Sequence, residues 1–183
     1  MRAAGWLAGV LTGLADVLKG LATGWIVSCL FPDSTWLRVF AALAAVWGHN
    51  QSIFLLERNS SGKINLRGGA GGATVLGGAI ALWPQIWFII LPLSSLVFLF
   101  SGYASITTIS VAFFAIVIFS YRSIFGLGPW EYIVYGTLAE LTVLWALRPN
   151  LKRLKEGTER IAGPRANWIK KSTHKASSNQ HIL

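Results

Sequence analysis

Long apolar blocks, broken by short polar or glycine-rich interruptions, make up most of this chain. A helix that crosses the hydrocarbon core of a bilayer needs about 20 apolar residues, within a working range of roughly 17 to 25. Trp83 to Phe100, Tyr103 to Phe125 and Trp130 to Leu147 are three clear spans. Leu7 to Phe31 is long enough but carries Asp16 and Lys19. Trp36 to Trp47 is apolar but short, and Gly69 to Trp83 is built of Gly and Ala. Pro32, Pro84, Gly102 and the stretch Gly126-Leu-Gly-Pro129 mark the turns between them. The pattern predicts an all-α, polytopic membrane bundle of about six segments. The short ones must pack against neighbours or face a water-filled cavity. Gly and Ala surfaces permit that close approach.

Composition agrees with the pattern. The 183 residues are 54% hydrophobic and 13% charged, against roughly 25% charged in an average soluble domain. A disordered chain, a disulfide scaffold and an ordinary cytosolic enzyme are excluded. The single Cys29 has no intrachain partner and sits in an apolar run. Asp16 and Lys19 interrupt the first block, and no small-residue cleavage site follows it, which argues against a cleaved signal peptide.

The formal charge of +9 is concentrated at one end. From Arg148 onward there are nine basic residues and two acids. Such a tail reads as a cytoplasmic flank under the positive-inside bias. With Trp168 as its one aromatic, nucleic acid is not an expected partner. Counting spans back from this tail puts Arg2, the loop Gly48–Thr74, the turn Gly102–Ser105 and Arg148–Glu159 on one membrane face. The chain divides into a membrane domain over 1–161 and a basic, flexible tail over 162–183. The location is the plasma or inner membrane, multi-pass, with the active face cytoplasmic.

Several residues on that face have chemistry. In Gly68-Gly-Ala-Gly-Gly-Ala-Thr74, small residues let backbone N–H groups approach a ligand. A helix opening there would favour an anion, typically phosphate. The same stretch also suits plain helix packing, and without a Gly-Lys-Ser/Thr ending it is not a Walker loop. His49 follows Gly48 at a membrane boundary, where a catalytic role and a structural one are both open. Asp16 and Lys19 share a helix face; they form either a mutually satisfied pair or part of a site. Asn150 and Arg153 also share a face, and Gly157 can turn the chain before Glu159. No residue cluster has metal-ligand spacing, and no cofactor is expected.

Taken together, Asp16-Val-Leu-Lys-Gly20, Gly48-His49, Gly68-Gly69-x-Gly71-x-Ala73-Thr74 and Asn150-x-x-Arg153-Leu154-x-x-Gly157-x-Glu159 resemble the PlsY-type acyl-phosphate:glycerol-3-phosphate acyltransferases. Gly102-Tyr103-Ala104-Ser105 is similar to that family's Tyr-x-Ser turn. The resemblance covers roughly Met1 to Gly163. It implies transfer of a fatty acyl group from acyl phosphate to the 1-hydroxyl of glycerol 3-phosphate, giving lysophosphatidate. The implied partners are both substrates and membrane lipids. It implies His49, Asn150 and Arg153 as catalytic residues. Arg2, Arg67, Gly68, Gly69, Gly71, Thr74, Ser105 and Glu159 are implied as substrate-binding. Two departures stand out. The family's first membrane helix and its Ser-Gly-Asn-Ile-Gly-Ala-Thr-Asn motif have no counterpart in this sequence, and Ala70 occupies the position of a Lys. Both predict a weakened enzyme, with Lys63 or Arg67 as replacement cations. The alternative is a truncated, non-catalytic relative that binds a lipid or a protein partner.

Overall fold

A computed structural model describes residues 5–51, 56–58, 64–66 and 69–166. Its helices are α1 (Gly5–Leu30), α2 (Thr35–Asn50), α3 (Gly72–Leu82), α4 (Trp87–Ser101), α5 (Ala104–Ile124), α6 (Glu131–Ala146) and α7 (Arg148–Lys155). A 3-10 turn, Pro84–Ile86, leads into α4. Residues 7–30, 84–101 and 104–124 are long and apolar enough to cross a membrane.

Two details refine the expected bundle. The span at Trp130–Leu147 is a helix of only 16 residues, and the chain enters α7 directly after it. Pro149 sits in the first turn of α7, where its missing N–H costs nothing and its fixed φ starts a new helix. The bundle also carries a short antiparallel ribbon between α2 and α3. In it β1 (Leu56–Arg58) pairs with β2 (Ile64–Leu66), Glu57 opposite Asn65. Strands of three residues leave too little alternation for the sequence pattern to reveal.

Close backbone contact assembles the bundle. In lipid the hydrophobic effect gives helices little reason to associate, so packing and small residues decide. α1 lies on α3 through Gly20, which faces the Thr74 carbonyl and the Gly78 amide, and through Gly24 against Ala81. From the other side Gly77 lies on the backbone of Val17 and Leu21. α6 packs on α5 where Gly136 meets Ile116 and Tyr132 meets Phe119 edge-on. Buried Tyr135 donates from its hydroxyl to the Val75 carbonyl at 2.7 Å, tying α6 to α3. Trp47 donates to Thr142 Oγ1 at 3.1 Å, tying α2 to α6. Large apolar residues such as Leu14, Trp25, Phe88 and Ile124 point outward, as a lipid-facing surface requires.

The chain after α7 returns to the bundle. Ala162 donates its amide to the Gly102 carbonyl at 2.7 Å, and Arg165 donates to the carbonyls of Phe100 and Ser101. The first residues of the segment expected to be tail therefore cap the carboxyl end of α4.

Candidate active site at one end of the bundle

Three helix ends meet on one face. The carboxyl end of α2 carries His49 and Asn50, the amino end of α3 follows Gly69–Gly71, and α5 begins at Ala104. Gly71 is the N-cap of α3 at φ +80°, a left-handed conformation that glycine adopts without a Cβ penalty. Its open side is filled by the Asn50 amide, and Gly69 is covered by the His49 ring at Nε2. Gly72 rests on Thr108, one turn into α5. Side chains at any of these glycines would push the three elements apart.

This packing leaves several polar groups of these elements without partners. Helical bonding in α3 begins with the Val75 amide donating to Gly71 at 2.8 Å. The amides of Gly72, Ala73 and Thr74 precede it and have no intrahelical acceptor. Among the described residues, the buried Thr74 and Ser105 hydroxyls and both polar atoms of the Asn50 amide also lack partners. A buried polar group without a partner costs about 1–3 kcal/mol, so a cluster of them marks a place where a polar ligand belongs. The helix dipole of α3 favours an anion there.

His49 is held from below. Its Nδ1 lies 3.2 Å from Asp16 Oδ1 in α1, and both side chains are about 15% exposed. Lys19 Nζ approaches the same carboxylate oxygen at 3.5 Å from the more exposed side. Asp16 therefore has two partners, of which only Lys19 was foreseeable from spacing.

A second cluster lies around α7. Asn150 Nδ2 donates to Glu159 Oε1 at 3.0 Å, and Arg153 Nε reaches Glu159 Oε2 at 3.4 Å. The Glu159 side chain is 7% exposed, whereas that of Arg153 is half-exposed. Gly157, at φ +69°, makes the turn, and the amides of Thr158 and Glu159 both donate to the Arg153 carbonyl. Ala162 then bonds to Gly102, three residues before Ser105. Both clusters thus border the first turns of α5.

A cleft of about 520 Å3 runs from this face into the membrane part of the bundle. Gly72 and Thr108 line its polar end, and Leu76, Leu91 and Val111 its apolar end. A larger apolar groove of about 820 Å3 between α2 and α6 touches neither the glycine loop nor Ser105. The smaller cleft is the one that borders the polar cluster.

Of the residues expected to bind substrate, Gly69 meets His49 and Gly71 meets its neighbour Asn50, Thr74 lies in the first turn of α3, and Ser105 lies at the start of α5, the helix whose Thr108 meets Gly72. Asn150, Arg153 and Glu159 form the neighbouring cluster. Arg2, Arg67 and Gly68 lie outside the described residues, as does Lys63. Asn50 was not among the expected residues; its only signal is its position directly after His49 at a predicted helix end.

Comparison with known proteins gives the arrangement its family. The glycerol-3-phosphate acyltransferase family model matches residues 1–157. The chain belongs to the glycerol-3-phosphate acyltransferase family. It is 35% identical over 166 residues to the glycerol-3-phosphate acyltransferase of Thermus thermophilus, covering 91% of this chain and 76% of the relative. It is 36% identical over 166 residues to that of Rubrobacter xylanophilus, with the same coverage. Two crystal structures of PlsY, an integral membrane glycerol 3-phosphate acyltransferase, share the fold. The glycerol 3-phosphate form has a TM-score of 0.74 at 26% identity, covering 91% of this chain and 77% of that one. The lysophosphatidic acid form has a TM-score of 0.73 at 28% identity, covering 88% and 76%. The chain is thus an integral, multi-pass membrane protein of this acyltransferase family.

Proposed function

We propose that this protein transfers a fatty acyl group from acyl phosphate to the 1-hydroxyl of glycerol 3-phosphate, on the cytoplasmic face of the membrane. The observation that carries the proposal is the amino end of α3: the amides of Gly72, Ala73 and Thr74 have no intrahelical acceptor, the buried Thr74, Ser105 and Asn50 side chains lack partners among the described residues, and Gly72 and Ala73 line a largely apolar cleft. A phosphate fits the amides, and a hydrocarbon chain fits the cleft.

In the reaction, the 1-hydroxyl oxygen bonds to the acyl carbon and the bond from that carbon to the phosphate oxygen breaks. Inorganic phosphate leaves, and the hydroxyl proton goes to His49 Nε2 or to the departing phosphate. A mixed anhydride carries its own good leaving group, so the protein's work is positioning. Good positioning supplies up to about 7–11 kcal/mol. The amides of Gly72, Ala73 and Thr74 hold one phosphate with the Thr74 hydroxyl, and Arg2 and Arg67 add positive charge. Asp16 fixes the His49 ring through Nδ1, leaving Nε2 toward the glycine loop. Asn150 and Arg153, both held by Glu159, close the site from the α7 side. The domain reading follows: residues 1–161 hold the chemistry.

The test is an acyl-phosphate-dependent transfer assay on membranes containing the full chain. Lysophosphatidate should form, and an Asn150→Ala, Arg153→Ala double variant should form far less. Equal activity of wild type and double variant would refute the α7 assignment. No transfer by the wild type, with acyl phosphate still bound, would favour the non-catalytic lipid binder.

A further inference from the structure

Beyond the Gly157 turn, the chain passes Glu159 and returns to the corner between α4 and α5. There Arg165 Nη1 donates to the Phe100 carbonyl at 2.8 Å and to the Ser101 carbonyl at 2.7 Å. Both carbonyls belong to the last turn of α4, for which the helix itself supplies no amide donors. A guanidinium at that end also matches the negative pole of the helix. Beside it the Ala162 amide donates to the Gly102 carbonyl at 2.7 Å. Gly102 stands at φ +73°, and side-chain atoms of Ile161 and Arg165 lie 2.8–3.2 Å from where its Cβ would be. Gly163, at φ +71°, places the strap on the Phe98 ring. The strap 159–165 is thus fastened to one corner by bonds and by packing.

The strap joins two parts of the proposed site. Ser105, in the first turn of α5, follows Gly102 by three positions; it is 2% exposed, and its hydroxyl has no partner among the described residues. At the other end Glu159 holds Asn150 and Arg153. Three residue steps separate Glu159 from Ala162, a reach of at most about 11 Å. We propose that Arg165 is a positioning residue for the transfer: it clamps the end of α4 and so keeps Ser105 at a set distance from the Glu159 network. This rests on the reading of both clusters as one substrate site. Arg165 bonds to backbone carbonyls and acts through the turn they form, and it lies past residues 1–157, which the family model matches. Without it the Phe100 and Ser101 carbonyls lose their donor, the Gly102 corner loosens, and the two clusters lose their register. Arg160, exposed on the same strap, carries the same charge without these contacts.

The experiment compares wild type, Arg165→Ala, Arg165→Lys and Arg160→Ala, each as the full chain in phosphatidylcholine nanodiscs. Three quantities are read: kcat and KM with hexadecanoyl phosphate and glycerol 3-phosphate, the midpoint of thermal unfolding, and backbone hydrogen exchange by mass spectrometry over 102–108 and 159–166. Arg165→Ala should lower kcat about tenfold, within the roughly hundredfold that a 1 Å misplacement can cost. Exchange should rise over both segments, while the unfolding midpoint moves little because the strap lies outside the helix-to-helix packing. Arg165→Lys keeps a cationic donor for the same carbonyls and should restore most of kcat and of the protection. Arg160→Ala should match wild type. Unchanged kcat in Arg165→Ala, an equal loss in Arg160→Ala, or a loss that follows a lowered unfolding midpoint and that Lys does not restore would overturn the proposal. No transfer even by wild type, with exchange raised in Arg165→Ala and restored in Arg165→Lys, would refute the transfer reading and leave the clamp standing. Exchange alike in all four proteins would refute the clamp.

Discussion

His49 Nδ1 meets the Asp16 carboxylate at 3.2 Å, joining the last turn of α2 to the middle of α1. A carboxylate there accepts the Nδ1 proton, fixes the tautomer and leaves Nε2 against Gly69. Asp16→Ala should lower kcat by up to about a hundredfold, as a misplaced catalytic group does. Asp16→Asn keeps an acceptor oxygen and should retain more activity. Steady-state kinetics at several glycerol 3-phosphate concentrations decide the matter: a loss confined to KM would remove Asp16 from the positioning of His49.

Asn50 offers a test with opposite signs in two measurements. Its amide is buried against Gly71 with both polar atoms unpaired among the described residues. Asn50→Leu removes a desolvation cost of about 1–3 kcal/mol, so thermal unfolding in detergent should move up. The same change removes a donor from the phosphate site, so KM for glycerol 3-phosphate should rise. A variant with full activity would show that Asn50 serves packing alone.

Glu159 holds two residues at once. Glu159→Ala frees Asn150 and Arg153 together, and activity should fall about as far as in Asn150→Ala, because one network is lost in either case. The double variant Glu159→Ala, Asn150→Ala should fall little further. Additive losses would mean that the two act independently. Stability should change by less than about 1 kcal/mol, since Arg153 is half-exposed and screened by water.

Gly77 carries the contact between α1 and α3. A Cβ there would enter the Val17 carbonyl, a backbone atom that cannot move aside. Gly77→Ala should destabilise the bundle by about 1–3 kcal/mol, read as a lower midpoint of thermal unfolding in detergent. Gly13, where a Cβ meets nothing within 4 Å, is the control, and Gly13→Ala should leave that midpoint in place.

Ala70 lies in the glycine-rich loop, at the position where the family resemblance implies a Lys. Ala70→Lys places a cation within reach of the α3 amino end. A charge-assisted hydrogen bond is worth about 1.5–3 kcal/mol, so transfer should rise roughly tenfold or more. Collapse of activity would show that the loop now depends on a small residue there, in keeping with the packing of Ala70 against the core.

The bundle was legible from hydropathy because lipid demands long apolar helices, and α1, α4 and α5 announce themselves by length. Asp16 and Lys19 were legible as a pair because three residues place them on one helix face. The Asp16–His49 contact was not: it joins residues 33 positions apart, and nothing local encodes which helix faces which. Asn50 was hidden for the same reason, since its importance comes from Gly71 across the α2–α3 gap. Asn150, Arg153 and Glu159 were readable because α7 and the Gly157 turn bring them together within ten residues. The three-residue strands gave no periodic signal at all.

The bond from Ala162 to Gly102 has a consequence for how the molecule is made. A ribosome delivers the turn after α4 long before it delivers the residues that latch onto it. The helices can enter the bilayer and find one another before that bond forms. A polypeptide halted at Leu147 would insert as an oily bundle with an unlatched mouth.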